Sequence, residues 1–295
     1  MDVSVIFVNY KTCDLLVNCI KSVYSLTSDI SFEIIVVDND SQDNSKKIVS
    51  EQFPNVIYIE SSINLGFGKA NNLGVDHSTG RNIFFLNTDT LLINNAIKLL
   101  SNFLDENENA AVCGGNLYDS NMNHTHSFSR IFPGIFSEID SIFNHQISKN
   151  FNINTTQYNS LNIPLKVAYI CGADMMVKKE VLNIVGLFDK DFFLYYEETE
   201  LSYRIMKNNF DIFNLPNVMI KHFEGGSQND SKSKTIFYNR SKRLFYKKRY
   251  GILNYYFIVF LFYLKCCIAI IKNTFFLNTK KITEWVNNIS SFNLN

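Results

Sequence analysis

Residues 1–113 constrain the fold most: short apolar runs alternate with amphipathic helical patterns, joined by polar turns. Residues 3–8 read as a strand, and Leu15, Leu16, Cys19, Ile20 and Val23 then recur at helical spacing. Residues 32–37, packed with Ile and Val, have the composition of a strand buried on both faces. Helices are expected over about 44–53, 69–77 and 94–104, and strands over 56–59, 82–86 and 110–113. This βαβα order implies an α/β fold built on an open, mostly parallel sheet with helices on both faces. Ligands of such sheets sit beyond the carboxyl ends of the strands, so the polar residues there are the ones to read for chemistry.

Further along, residues 120–164 are polar, rich in Asn and Phe and poorly periodic, and read as variable loop structure. A strand is expected at 167–171, with helices near 179–185 and 198–208. With 12 Gly, 4 Pro and 14% aromatic residues, collagen-like and disordered chains are excluded. The formal net charge of zero hides a split: residues 231–295 hold 12 Lys or Arg and one acid, against 16 basic and 27 acidic residues before them. An acidic body over 1–230 and a basic, apolar tail over 231–295 are therefore expected, the tail alone suiting an anionic surface. The six cysteines show neither a C-x-x-C nor a metal-ligand spacing and read as free buried thiols of a reducing compartment. The N-terminus lacks a basic segment and a long apolar run, so no signal peptide is read and a cytoplasmic location is expected.

Five strand-end or helix-start features can carry chemistry. Asp38, directly after the second strand, suits hydrogen bonds from a nucleobase imide or ribose hydroxyl, or a helix cap. No G-x-G-x-x-G follows the first strand, which runs into Asn9-Tyr10-Lys11-Thr12, and no Walker A sequence occurs, so NAD binding is not expected. Asn64-Leu65-Gly66-Phe67-Gly68, followed by Asn71-Asn72, allows close backbone approach to an anion or a plain turn. Asp89, in Asn87-Thr88-Asp89, is placed to hold Mg²⁺ or Mn²⁺ that bridges phosphate oxygens, or to close a turn. Tyr195-Tyr196-Glu197-Glu198-Thr199-Glu200 opens a helix with more carboxylates than capping needs; mutual repulsion would raise one pKa toward that of a general base. Glu200 and Arg204 also form an i,i+4 pair. His222, before Glu224-Gly225-Gly226-Ser227, suits a metal site, a pyrophosphate contact or a structural role.

As an ordered set these residues resemble the GT-A glycosyltransferases of family 2, the inverting group that includes bacterial rhamnosyltransferases of surface-polysaccharide assembly. The motifs are Val37-Asp38-Asn39 with Ser41 and Asp43, Asn-Leu-Gly-Phe-Gly with Asn71-Asn72, and Asn87-Thr88-Asp89. Cys171-Gly172-Ala173-Asp174-Met175, Gly186-Leu187-Phe188-Asp189 with Phe192-Phe193, the glutamate cluster, and His222 with Gly225-Gly226-Ser227 complete it, over residues 1–250. The resemblance implies a GT-A fold, Rossmann-like, with nucleotide binding over about 1–115 and acceptor binding over about 165–230. It makes Asp38 the base-recognising acid and assigns Asn9, Asn39, Asn64, Gly66, Phe67, Asn71 and Asn87 to the donor nucleotide. Asp89 and His222 become the metal side, Gly172, Asp174 and Tyr196 the acceptor side, and Glu198 the general base, supported by Glu197 and Glu200. Asn87 stands where many relatives have Asp, and Glu198 where the family commonly has Asp, reaching about one methylene further. The processive Q-x-x-R-W motif is absent around Trp285, the single tryptophan, so addition of one sugar is implied.

The implied cofactor is a divalent cation, Mn²⁺ or Mg²⁺. The implied partners are a nucleoside-diphosphate sugar and a saccharide acceptor on a polyprenyl diphosphate, in O-antigen or capsule assembly, with rhamnose as the specific sugar. Other hexosyl or galactofuranosyl transfer, and a non-catalytic sugar-nucleotide-binding subunit, are the alternatives. A pyrophosphorylase is disfavoured because the chain lacks a Gly-rich signature with Arg and Lys after the first strand.

In the tail, Arg240, Lys242, Arg243, Lys247, Lys248 and Arg249 precede an apolar run over 252–271, long enough as a helix for a bilayer core. Lys265 interrupts that run at a cost of about 2.5–3.5 kcal/mol if central. A helix lying on, or re-entering, the inner face of the plasma membrane is therefore favoured over a span or over packing on the catalytic domain. Nucleic-acid binding is not expected, because the tail's aromatics are interleaved with Ile and Leu.

Overall fold

The computed structural model describes residues 1–150, 157–223 and 231–293. The first half alternates β1 (Val3–Asn9), α1 (Cys13–Leu26), β2 (Phe32–Asn39), α2 (Ser45–Gln52), β3 (Ile57–Ser61), α3 (Phe67–Asp76), β4 (Asn82–Leu86), β5 (Thr90–Leu92), α4 (Ala96–Glu106) and β6 (Ala110–Tyr118). There follow β7 (Phe128–Ser129), α5 (Ile135–Ile142), α6 (Gln146–Asn150), β8 (Leu165–Lys166), β9 (Tyr169–Ile170), β10 (Asp174–Lys178), α7 (Lys179–Val185), α8 (Glu197–Lys207) and β11 (Asp211–His222). Three helices end the chain: α9 (Ser231–Arg249), α10 (Ile252–Phe275) and α11 (Thr279–Asn293).

Two compact units result, the first comprising Met1–Arg130, Thr156–Asp191 and Glu197–Gln228. Its nine-stranded sheet runs β3-β2-β1-β4-β10-β6-β11-β5, with β8 also on β11. Strands β3, β2, β1, β4, β6 and β11 point one way, while β10, β5 and β8 point the other. The period of two in strand side chains divides β1 between two cores. Val3, Val5 and Phe7 pack with α1 and α4 on one face, and Ile6 packs with α3 and α8 on the other. Ile34 and Val36 of β2 alternate with Ile35 and Val37 in the same way, so both faces are sealed. Each such fully buried side chain contributes about 1.5–3 kcal/mol over leaving it in water. Gly74 lets α3 lie close on β1, because a methyl group there would sit 2.5 Å from Ile6 Cγ2.

Some expected elements differ. The strand expected at 110–113 runs on to Tyr118 beside β11. The expected strand at 167–171 yields only β9, which pairs with β7; the sheet strand is β10, inserted antiparallel between β4 and β6. Its Met175, Met176 and Val177 are completely buried. The expected loop over 120–164 contains α5 and α6, and residues 151–156 lie outside the described residues. Helix α5 escapes periodicity because the residues it buries are Glu138 and Asp140 rather than an apolar stripe. All six cysteines are free; Cys19, Cys113 and Cys266 are buried, whereas Cys267 is exposed.

The second unit comprises Ile131–Thr155, Phe192–Tyr196 and Asn229–Asn295. Its interior joins Ile258, Leu261, Phe262 and Cys266 of α10 to Phe292 of α11, with the Phe262 and Phe292 rings stacked at 4.1 Å. Phe245 and Tyr246 of α9 are fully buried. The Tyr246 hydroxyl donates to Glu138 Oε1 and the Lys242 ammonium pairs with the same oxygen, both at 2.5 Å. Helix α10 is long and apolar enough to cross a membrane, with a mean hydropathy of 1.9.

Candidate active site

Parallel register brings the carboxyl ends of β1 and β2 side by side, with Asn9 opposite Asp38. Asn9 is fully buried: its Nδ2 donates to Asp38 Oδ2 (2.8 Å), Ser41 Oγ (3.0 Å) and Ser45 Oγ (3.0 Å), and its Oδ1 accepts from the Thr12 hydroxyl (2.9 Å). Asp38 also accepts from the Ser41 N–H (2.9 Å) and the Tyr58 hydroxyl (3.0 Å). Burial, and then the Asp38 charge, pushes the Tyr58 phenol upward, so it remains a donor at neutral pH. Asn9, expected to touch the nucleotide, instead clasps Asp38; a completely buried amide engaged at both ends has nothing left to offer a ligand.

The same correction applies to Asn39. Its Nδ2 donates to Asn64 Oδ1 (3.0 Å) and its Oδ1 accepts from the Leu65 N–H (2.7 Å), tying β2 to the turn before α3. Asn64 Oδ1 also accepts from the Gly66 N–H (2.9 Å). Gly66 has φ +82°, a conformation open to glycine without strain, and it turns the chain into α3 at Phe67. Asn71 donates to the Phe67 carbonyl (3.1 Å). Asn72 grips both backbone groups of Phe188, donating to its carbonyl (2.8 Å) and accepting from its N–H (3.0 Å). The asparagine-rich motif is thus largely a frame, with Asn72 holding Phe188 and Phe67 facing Gly172.

At the end of β4 the Asn87 N–H donates to the Ala173 carbonyl (3.0 Å), while its side-chain amide has no hydrogen bond among the described residues. The hydroxyls of Thr88 and Thr12 meet at 2.9 Å. Asp89 Oδ1 lies 3.3 Å from His222 Nε2, both side chains being nearly buried, and the Phe223 N–H donates to the Asp89 carbonyl (2.9 Å). Pairing of β11 with β5 sets this geometry, by placing His222 opposite Thr90. His222 Nδ1 is buried with no hydrogen-bond partner among the described residues. A cavity of about 220 Å³, lined by Leu15, Asn18, Thr88, Thr90, Leu91 and Phe223, opens beside Thr88. Under this floor burial raises the Cys19 thiol to about 12, so it is inert as a nucleophile. Gly225, Gly226 and Ser227 lie outside the described residues.

The three glutamates of α8 part company. Glu200 is fully buried and holds Arg204 through both carboxylate oxygens (2.9–3.0 Å), and Arg204 donates onward to the carbonyls of Val185, Gly186 and Leu187. The pair anchors the end of α7. Glu197 is buried, its Cβ close to where a methyl group on Gly68 would sit (3.6 Å). Glu198 is half-buried; burial raises its carboxyl pKa, against the opposing hydrogen bonds from its own N–H and from Thr199. The Thr199 hydroxyl reaches Glu198 Oε1 at 3.1 Å. A methyl group on Gly172 would lie 3.6 Å from Glu198 Cγ and 3.8 Å from Phe67 Cε1, so three motifs far apart in sequence converge there. Gly172 is next to Ala173, the partner of Asn87, which ties the β4 end into the same neighbourhood.

Of the residues expected on the acceptor side, Asp174 is placed elsewhere. Asp174 is fully buried at the start of β10, accepts from the Gly115 N–H (2.6 Å), and has its pKa raised well above the carboxylate range by burial. It is out of reach of any acceptor. Tyr196 is a member of the second unit, where its hydroxyl meets that of Tyr238 at 3.3 Å and its ring packs near Phe245. Thr12, Tyr58 and Arg204 went unread as site-building residues; only Arg204 carried a signal, its spacing from Glu200.

The model of the family described as "Glycosyl transferase family 2" matches residues 4–186, more than half of the chain. The chain belongs to that family. Among proteins, it is 29% identical over 221 residues to the low-salt glycan biosynthesis hexosyltransferase Agl10 of Haloferax volcanii, covering 72% of this chain and 64% of that protein. It is 27% identical over 195 residues to the dTDP-rhamnosyl transferase RfbF of Shigella flexneri, covering 65% and 60%. The matches thus span less than two-thirds of each relative's length. Among solved structures, a mannosyltransferase of Pyrobaculum calidifontis, in complex with GDP-Man and Mn²⁺, superposes with a TM-score of 0.62 at 15% identity, covering 98% of this chain and 85% of that one. Staphylococcus aureus TarS gives 0.56 at 17% identity, covering 83% and 39%. These likenesses establish the GT-A-like α/β fold.

Proposed function

We propose that this family 2 member is an inverting, non-processive hexosyltransferase of glycan assembly. It transfers one sugar, rhamnose as the specific choice, from a nucleoside-diphosphate sugar to a saccharide carried on a polyprenyl diphosphate, in the building of an O-antigen or capsule. The hexosyl choice is supported by the Haloferax relative and the rhamnosyl choice by the Shigella relative. Residues 1–115 take the nucleotide, with Asp38 reading the base, and residues 165–230 take the acceptor. The basic and apolar residues over 240–272 hold the enzyme, as a peripheral protein, at the cytoplasmic face of the membrane.

The observation that carries this reading is the position of Glu198. A half-buried carboxylate with a raised pKa, its Oε1 fixed by Thr199 and facing the Gly172 and Phe67 junction, suits a general base. Glu198 takes the proton of the acceptor hydroxyl as that oxygen bonds to the anomeric carbon. The bond to the diphosphate oxygen breaks on the opposite face, which inverts the centre. Asp89 and His222 are the residues that would hold a divalent cation. No group of three His, Cys, Asp or Glu side chains converges among the described residues, but one or two protein ligands suffice for a cation that shares phosphate and water oxygens. When bound, such a cation neutralises charge on the departing nucleoside diphosphate.

Because the base must be ionised, turnover falls as pH drops through the Glu198 pKa, at a value above the ordinary 4.5. Glu198→Gln lowers sugar transfer by about 10²–10⁴-fold, the worth of a positioned general base. Thermal shifts with nucleoside diphosphates and Mn²⁺ remain as in the wild type. Unimpaired transfer by the variant rejects the assignment.

A further inference from the structure

The second unit holds a feature that sugar transfer does not use. A cavity of about 420 Å³ lies among α5, α10 and α11, and its lining includes Lys265, Lys272, Lys281, Glu284, Trp285 and Asn144. None of the three lysines makes a side-chain hydrogen bond or ion pair among the described residues. Against one glutamate they leave the lining with a charge of +2. Lys265 sits 5.6 Å from the Trp285 ring centre. Burial, and then the nearby Lys242 ammonium, lowers the Lys265 pKa, which marks a cation short of counter-charge, since Glu138 is already paired with Lys242.

Outside the cavity, α10 carries an unbroken apolar stripe. Leu253, Phe257, Phe260, Leu264, Ile271 and Phe275 are exposed at intervals of three, four or seven residues. Ile268, also exposed, belongs to the same stripe and lines the cavity. The apolar track therefore runs directly into the cationic hollow. Cationic side chains in a hollow fit a phosphate dianion, and an apolar track leading out of it fits a hydrocarbon chain.

We propose that this cavity is a lipid-phosphate site: it holds a phosphomonoester or diphosphate headgroup while the lipid's chain lies along the exposed stripe of α10. The proposal rests on the reading of α10 as a membrane-lying helix and names the headgroup that the helix selects. Charge alone would make the tail indifferent among anionic lipids. Three lysines gathered around one hollow make it favour a terminal phosphate, which presents more charge and more free oxygens than a phosphodiester.

The test uses the full chain in flotation assays with phosphatidylcholine vesicles carrying either phosphatidic acid or phosphatidylserine at matched surface potential. Wild type binds the phosphatidic acid vesicles more tightly. Lys272→Gln with Lys281→Gln, both exposed and so harmless to folding, weakens that binding by roughly 30-fold, about fivefold for each lysine. It also removes the preference. Lys280→Gln, an exposed neighbour that does not line the cavity, lowers binding to both vesicles equally and keeps the preference. Equal wild-type affinity for the two vesicles, or a preference that survives the double variant, overturns the proposal. So does inorganic pyrophosphate binding as tightly as the lipid, which would make the cavity a site for a soluble anion. Thermal shift with nucleoside diphosphate and Mn²⁺, unchanged in the double variant, reads the transferase assignment separately, so that the failure of either is told from the other.

Discussion

Helices α5 and α8 both bury carboxylates, yet they use them oppositely. In α5, Glu138 meets Lys242 and Tyr246, and Asp140 meets Ser148 and His145. In α8, Glu200 is matched by Arg204, but Glu198 has the Thr199 hydroxyl and the helix backbone and, among the described residues, no cation. In these two helices, an acid matched by a cation or by several donors is an element of construction, whose charge is already spent. An acid that burial destabilises and no cation satisfies keeps an appetite for a proton. That contrast, rather than the number of carboxylates, separates the catalytic candidate from its neighbours.

The strongest way to break the contrast is to make Glu200 resemble Glu198. Arg204→Met leaves a fully buried carboxylate without its cation, and urea denaturation should show a loss of about 3–5 kcal/mol. Adding Glu200→Leu to that variant should recover much of the loss, because an apolar pair can replace a buried ion pair. If Arg204→Met alone leaves stability unchanged, Glu200 is not the structural member of the cluster.

A smaller effect is expected at Asp140. Burial pushes its pKa up, but the Ser148 hydroxyl and N–H and the His145 ring outweigh burial, so the folded value lies below the ordinary 3.8. Its contribution is therefore complete above that ordinary value and is lost as pH falls through the lowered one. Asp140→Asn should cost about 1–2 kcal/mol at neutral pH and flatten the acid limb of the stability curve. An unchanged acid limb contradicts this.

The smallest effect belongs to Asp174, whose pKa burial raises. Here the sign reverses: stability is complete below the ordinary carboxylate pKa and declines as pH rises toward the folded value. Asparagine can still accept from the Gly115 N–H and cannot ionise. Asp174→Asn should match the wild type within about 0.5 kcal/mol in acid and exceed it in alkali, as chemical denaturation across pH would show.

Much of this was legible in the chain itself. The alternation over residues 1–113 marked β1 to β4 within two residues, because strands buried on both faces and helices with one apolar stripe write different periods. Helix α5 was illegible for the opposite reason: its buried face is acidic and acquires its partners from α9, from α6 and from His145 just before α6. Strand β10 was masked by its own motif, since Gly172 and Asp174 read as a ligand loop while Met175 to Val177 enter the sheet. Among the candidate site residues, Asp38, Asp89, Glu198 and His222 were marked by type and place at element ends. That Asn9 and Asn39 clasp their own chain, while the Asn87 amide has no hydrogen bond among the described residues, was beyond any local pattern.

What the sequence determined was the set of chemical groups and the ends of the sheet that present them, because side-chain period and strand polarity are local properties. Tertiary structure alone decided which of those groups are engaged. Hydrogen-bond capacity is finite, and whether an amide or carboxylate has any left depends on the neighbours that packing brings within about 3 Å.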